Sequence, residues 1–301
     1  MSDLLNRSLV AMQVNASVDV KVLSVDVAAG VSEQEFCSIV VEDTLTIAIE
    51  GLGNYTLLWT PTASVHEGLA YTRDDGVLGG DNDSELLALV LGFMFSEGLI
   101  TSLSEVVSMV ICPDSHDLVE VQLEIVGDIL LERRNVTITS SCGICGARDI
   151  IDNNPLQLQH LQCDTSIASA AIVRGMESMT TGQKIFQATG GSHAAAEMSE
   201  QGELVSICED LGRHNALDKV IGKNILMKHN LNSSCVLLSS RLSLEMVLKS
   251  IKAGVQVVAA VGAPTSLAVE IAEAFGLTLC GFVRGQRLTV FTHPERISNS
   301  V

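Results

Sequence analysis

Two thiols stand two residues apart in Ser141-Cys142-Gly143-Ile144-Cys145-Gly146. A thiolate is the form that attacks sulfur or binds metal. A free cysteine titrates near pH ~8.5, and a neighbouring cation or positive helix end lowers that value. Glycine after each cysteine lets the backbone turn its N–H groups inward, a setting that favours an anion. Three readings fit the spacing: a reactive dithiol, half of a zinc site, or a pair of small apolar residues in a core. The spacing alone leaves all three open.

The elements that must position this loop fall into two groups. Past residue 165 the sequence alternates strand-like and helical stretches. Lys184 to Ala188 reads as a strand entering Thr189-Gly190-Gly191-Ser192-His193, then an alanine-rich helical start. Leu204 to Cys208 leads to Gly212-Arg213-His214 and a helix to about Lys228, and Cys235 to Leu238 leads to Ser239-Ser240-Arg241 and a helix through Ala253. Val255 to Val261 leads to Gly262-Ala263-Pro264-Thr265-Ser266 and a helix through Phe275. Leu277 to Cys280 runs through Gly281 and Phe282-Val283-Arg284-Gly285-Gln286-Arg287 to a last strand, Leu288 to Phe291. Such alternation predicts a three-layer α/β domain. In an open α/β sheet the loops gather at the carboxyl edge, where helix N-termini offer free N–H groups. Gly190, Gly191, Arg213, Arg241, Arg284 and Arg287 would share that edge and suit a phosphate-bearing ligand. His193 and His214 beside them read as proton carriers or as neutral, hydrogen-bonded rings.

The first part of the chain reads as a smaller α+β unit. Residues 1–30 read as disordered or as an edge strand. Ser38 to Ile49 and Tyr55 to Thr60 form one expected hairpin, and Val106 to Cys112 with Leu118 to Ile125 another. Thr62 to Asp83 reads as an exposed Gly/Asp-rich loop, and Asp83-Ser84-Glu85 caps a helix over Leu86 to Ser96. The expected organisation is therefore a small domain over 1–138, the cysteine loop and connector over 139–164, and the α/β domain over 165–301.

Composition limits the partners. The 301 residues carry 36 Asp+Glu against 18 Lys+Arg, a net charge of −18. That surface repels nucleic acid and anionic membranes. Hydrophobic residues make up 47% and aromatics only 3%, so the core must be aliphatic. The eight cysteines are scattered and make no disulfide framework, and no apolar run reaches the ~18 residues that span a bilayer. A cytoplasmic protein is the expectation.

Several segments resemble the FdhD family in the same order. They are Ser140 to Gly146, Thr189 to Ala195, Glu209-Asp210-Leu211-Gly212-Arg213-His214-Asn215-Ala216-Leu217-Asp218-Lys219, Ser239 to Ser243, Gly262 to Ser266 and Phe282 to Arg287. Leu91 to Ile100 is similar as well. The resemblance implies a sulfurtransferase, a carrier that takes persulfide sulfur from a cysteine desulfurase. It would pass that sulfur to the molybdenum bis(guanine dinucleotide) cofactor before insertion into formate dehydrogenase. It further implies a cytidine-deaminase-like fold for the larger domain, a homodimer, Cys142 as the persulfide carrier with Cys145 assisting, and Phe282 to Arg287 on the cofactor surface, with a guanine nucleotide as mimic of half the cofactor. Two other classes remain alternatives. A zinc-dependent, deaminase-like hydrolase would use Cys142, Cys145 and a histidine, although the deaminase order of H-x-E before P-C-x-x-C is absent. A cofactor-binding chaperone would leave both thiols without chemistry.

Overall fold

The computed structural model describes residues 11–12, 16–61, 65–66, 69–78, 84–112, 115, 117–124, 151, 158–162, 165–229, 231 and 234–299. Cys142 and Cys145, with the whole 139–149 loop, lie outside the described residues.

In chain order the strands begin with β1 (Ala11–Met12), β2 (Ser17–Asp26), β3 (Val31–Val40), β4 (Asp43–Ile49), β5 (Gly53–Trp59), β6 (Val65–His66), β7 (Ala70–Thr72) and β8 (Gly76–Leu78). After helix α1 (Glu85–Ser96) come β9 (Val106–Ile111) and β10 (Leu118–Leu123). The strands β4, β5 and β7 to β10 make one mixed six-stranded sheet in the order β5-β4-β10-β9-β7-β8. Helix α1 lies on it. Leu87, Leu89, Leu91 and Met94 are fully buried among Leu45, Ile47, Met109 and Val119. Ser84 caps the helix by accepting from the Leu87 N–H, as its sequence position requires.

The second half contains β11 (Ile167–Ala168), α2 (Ser169–Gly182), α3 (Lys184–Thr189), β12 (His193–Met198), β13 (Leu204–Asp210), α4 (Arg213–Leu226), β14 (Cys235–Leu238), α5 (Leu244–Lys252), β15 (Val257–Ala260), α6 (Ser266–Phe275), β16 (Thr278–Arg284), β17 (Arg287–Thr292) and β18 (Ile297–Ser298). Its six-stranded sheet runs β13-β12-β14-β15-β16-β17. Strand β12 is antiparallel to both neighbours, whereas β14, β15 and β16 are parallel. Alternate residues of the central strands face opposite ways. Ala195, Val236, Leu238, Val258 and Ala260 pack with α4, α5 and α6, while Ala194, Ala196, Leu237, Val257 and Ala259 pack with α2.

The two sheets meet where α1 crosses α4. A Cβ on Gly92 would sit 1.8 Å from the Asp218 carbonyl oxygen, and one on Gly222 would sit 1.8 Å from that of Ala88. Only hydrogen fits there, so the backbones touch.

Four expectations need correction. Lys184 to Ala188 is the helix α3, and the alanine-rich stretch after it is the strand β12. Helix α3 starts where the Ile185 and Phe186 N–H groups donate to the Glu209 carboxylate, both at 2.9 Å, a cap supplied from 23 residues away. It ends at Gly190, whose φ of 67° closes the last turn. Ala194, Ala195 and Ala196 are at most 2% exposed in a strand flanked on both sides, where small side chains pack well and helix propensity is overridden. The expected loop over Thr62 to Asp83 contains β7 and β8, and Leu69, Ala70 and Tyr71 are buried. Residues 17–40, split in the expectation between a terminus either disordered or an edge strand and a first strand from Ser38, form one antiparallel ribbon of β2 and β3. Finally, Phe282 to Arg287 is a hairpin between β16 and β17, with Arg284 opposite Arg287.

Candidate functional site

The direction of the strands assembles one edge. Because β13, β14, β15 and β16 all run one way, their carboxyl ends lie together, joined by the amino end of the reversed β12. His193 pairs with Asp210 in that ladder. Backbone bonds tie the loops to one another: Ser239 N–H to Ala194 O at 3.0 Å, Gly262 N–H to Ser240 O at 3.2 Å and Phe282 N–H to Gly262 O at 3.2 Å. The structure thus brings His193, Arg213, Arg241, Phe282 and Arg284 to one side of the sheet. Gly190 and Gly191 arrive there from the end of α3, and Gly285, Gln286 and Arg287 from the tip of the β16–β17 hairpin.

These side chains differ in how they are held. Arg241, Arg284 and Arg287 are exposed. Arg213 begins α4, and its Nε is buried with no hydrogen-bond partner among the described residues. Phe282 has φ 55°, a left-handed conformation that costs a bulky residue on the order of 1 kcal/mol, and its ring remains 47% exposed. The ring leans on that of Phe291, with centroids 6.1 Å apart, and its other side is open to a ligand. Val283, by contrast, is buried.

A cavity of about 440 Å³ opens beside the hairpin, lined by Val173, Met176, Glu177, Thr180 and Thr181 of α2 and by Val261, Val283, Arg284 and Gly285. It combines apolar walls with one carboxylate and one guanidinium, as small-molecule sites do. Glu177 and the two threonines were not singled out from sequence, because α2 carries no chemical motif.

Both histidines are held in the neutral form. Burial, then the Arg213 charge, lowers the pKa of His193. Burial, then Lys249 and Arg213, lowers that of His214, against the opposing pull of Glu245 and Asp218. Its Nε2 lies 2.7 Å from Glu245 Oε2, without the alignment of a hydrogen bond. No group of three or more His, Cys, Asp or Glu with metal-binding geometry occurs among the described residues.

The rest of the Glu209 to Lys219 segment serves another purpose. Asp210 Oδ1 accepts from Asn215 Nδ2 and the Gly212 N–H, both at 2.9 Å, and Oδ2 accepts from the Thr60 N–H at 3.1 Å. Lys219 Nζ, fully buried, lies 3.0 Å from Asp210 Oδ2 and donates to the carbonyls of Thr60 and Glu209. Asn215 also donates to the Leu58 carbonyl at 2.7 Å. Leu58 and Thr60 belong to the small sheet's β5 and its exit, so this network fastens the two halves together.

The sequence profile of the FdhD/NarQ family matches residues 80–298. The chain belongs to the FdhD/NarQ family. It is 42% identical over 213 residues to "Sulfur carrier protein FdhD" of Sulfolobus acidocaldarius, covering 70% of this chain and 80% of that one. It is 35% identical over 277 residues to the protein of the same name in Anaeromyxobacter dehalogenans, covering 86% and 88%. Among solved structures, a putative formate dehydrogenase accessory protein from Desulfotalea psychrophila superimposes with a TM-score of 0.70 at 22% identity, over 94% of this chain and all of that one. That likeness establishes the mixed α/β fold. Within the FdhD/NarQ match lie both cysteines, every residue of the carboxyl edge named above, and Asp210, Asn215 and Lys219 of the joint, whose partners Leu58 and Thr60 precede it.

Proposed function

We propose that this chain is a sulfur carrier that acts through a persulfide on Cys142. The Cys142 thiolate attacks the outer sulfur of a persulfide on a cysteine desulfurase, a new S–S bond forms, and the donor's thiolate leaves. The S–S bond then breaks as the outer sulfur passes to the molybdenum bis(guanine dinucleotide) cofactor as substrate; Cys142 keeps the electron pair and returns as a thiolate, and the reduced metal of the cofactor supplies the two electrons that turn the sulfur into a sulfide ligand. Cys145 assists release. The loaded cofactor goes to formate dehydrogenase. The reading includes a homodimer in the cytoplasm, a cytidine-deaminase-like larger domain, and the domain limits 1–138, 139–164 and 165–301.

The observation that carries this reading is the carboxyl edge. On a chain of net charge −18, Arg213, Arg241, Arg284 and Arg287 collect at one side of one sheet, beside a cavity and an exposed aromatic ring. Such an edge suits the phosphates and base of a guanine nucleotide. Glu177 adds a reason for guanine, since a carboxylate accepts from the N1–H and amino group that this base presents together. Reach is sufficient. Twelve residues lie between Cys145 and Leu158, which is buried in the core, and an extended chain over those steps spans ~45 Å.

The test is sulfur loading followed by intact-mass measurement. Incubation with a desulfurase and cysteine should add one sulfur to the chain, and Cys142→Ala should abolish the addition while the thermal midpoint stays unchanged. A Cys142→Ala variant that restores full formate dehydrogenase activity in cells lacking the native protein would refute the proposal.

A further inference from the structure

Among the described residues, the β2–β3 ribbon is largely exposed. Each strand is ten residues long, and the pair forms a sheet of its own with no third strand among the described residues. A two-stranded ribbon is marginal alone in water. This one also exposes Val18, Val20, Leu23, Val25, Phe36 and Ile39, with Phe36 73% exposed. Its root is fixed: Val40 lies against Gly191, the Val41 N–H donates to the Ala16 carbonyl at 2.9 Å, and Thr60 Oγ1 donates to the Val41 carbonyl at 3.0 Å. The ribbon is therefore a positioned arm with an open edge, the arrangement that invites another strand.

The sequence of β2 says which strand. The Ala16 carbonyl points toward β3, so by alternation residues 18, 20 and 22 also turn their backbone groups toward β3, and 17, 19, 21 and 23 turn theirs outward. Two copies of β2 meeting antiparallel across a dyad must match outward residues with outward residues. The dyad then passes through a residue and never between two. Centred on Asp19 it sets aspartate against aspartate, and centred on Lys21, lysine against lysine. Centred on Val20 it sets Asp19 of each copy opposite Lys21 of the other, Val18 opposite Val22, and Ser17 opposite Leu23. Val18-Asp19-Val20-Lys21-Val22 is thus complementary to itself. The outer edge of β3 is not, because its only charges are Glu33 and Glu35.

We propose that the outer edge of β2 pairs with the same edge of a second copy of this chain, with Val20 on the two-fold axis. The result is a four-stranded sheet β3-β2-β2-β3. Asp19 and Lys21 exchange backbone bonds and face each other as ion pairs, and the Val18, Val20, Val22, Cys37 and Ile39 face of one arm continues into that of the other. Because Val40 rests on Gly191, the junction places the second copy beside the His193 end of the carboxyl edge.

The test uses the full chain and charge exchange, read by sedimentation velocity. The wild type should be a dimer. Asp19→Lys and Lys21→Asp should each weaken self-association about tenfold, because each puts like charges opposite one another twice across the dyad. An equimolar mixture of the two variants should recover the dimer, since each lysine then meets an aspartate. Recovery on mixing cannot come from contacts within one chain. A monomeric wild type at about 100 μM, single variants that associate as the wild type does, or a mixture that fails to assemble would each overturn the proposal. Persulfide loading is not read in this experiment, so this interface and the sulfur-carrier reading can fail independently.

Discussion

Asp210 and Arg213 are three residues apart, and they belong to regions governed by opposite rules. At the joint, charges are buried and answered: Lys219 is 0% exposed and has the carboxylates of Asp210 and Glu85, two carbonyls and the Trp59 ring around it. Asp218 is likewise buried, with Ser96 Oγ at 2.7 Å and Lys249 Nζ at 2.5 Å. At the carboxyl edge, charges of one sign are gathered and left open, with Arg241, Arg284 and Arg287 exposed and Arg213 Nε without a partner among the described residues. Breaking a satisfied buried pair strands a charge and costs stability. Removing an exposed cation costs little stability and removes what it was free to bind. A single sequence motif therefore divides into residues that hold the halves together and residues that face a ligand.

The sharpest way to break this comparison is at the joint. Asp210→Ala leaves the buried Lys219 with only the more distant Glu85 carboxylate, at 3.5 Å, as an anionic partner and should destabilise the chain by about 3 kcal/mol, measured by urea unfolding. If the loss is under ~0.5 kcal/mol, the network is ornamental and the division fails. Gly222→Ala, on the same helix, should cost about 1–3 kcal/mol by prying α4 from α1, where the added Cβ meets the Ala88 carbonyl. A crystal structure of that variant with the helix spacing unchanged would contradict the close-contact reading.

The edge should respond in the other currency. Arg284→Ala should weaken GDP binding about tenfold, the loss of one charge-assisted contact, with stability changed by less than ~0.5 kcal/mol and sulfur loading on Cys142 intact. Titration calorimetry and intact mass on one preparation check both arms. Glu177→Gln should erase a preference for GDP over ADP while leaving phosphate-driven affinity in place. Equal loss for both nucleotides would remove Glu177 from base recognition.

Much of this division was legible in the sequence, and the illegible part has a common cause. The strand-loop-helix alternation from Leu204 to Phe275 appears in β13 to α6 with ends shifted by a few residues, because each unit carries its own caps and breakers, such as Thr265 at the start of α6. Helix α3 and strand β12 were inverted, because their state is decided at a distance: Glu209 caps α3, and β13 and β14 flank β12. The arginines of the edge stood out by type. Asn215, Asp218 and Lys219 did not, since nothing local distinguishes a buried lysine from a solvated one. Thr60 and Leu58, which complete the joint, lie about 150 residues from the groups they bind. Cys142 and Cys145, to which the proposal assigns the sulfur chemistry, lie outside the described residues. The buried cysteines are poor nucleophiles, with burial pushing Cys280 up to about 12 and Cys235 well above the usual thiol range.

The smallest effect concerns the two histidines at the edge, and it tests whether Arg213 organises that region electrostatically. In both, burial is the leading cause of the lowered pKa, and Arg213 adds to it. The unfolded chain titrates them near ~6.5, so between the folded values and that point the unfolded state binds more protons. Stability then rises with pH across this window and falls as pH drops below about 6.5. Arg213→Met keeps the aliphatic packing and removes the charge. NMR titration should show both imidazole pKa values moving up together, His214 still under the charges of Lys249, Glu245 and Asp218, and the acid-side loss of stability should become shallower. If only one histidine moves, the two do not share Arg213 as a neighbour. If neither moves, burial, joined at His214 by Lys249, accounts for the lowered values, and the charge of Arg213 is left entirely to the ligand.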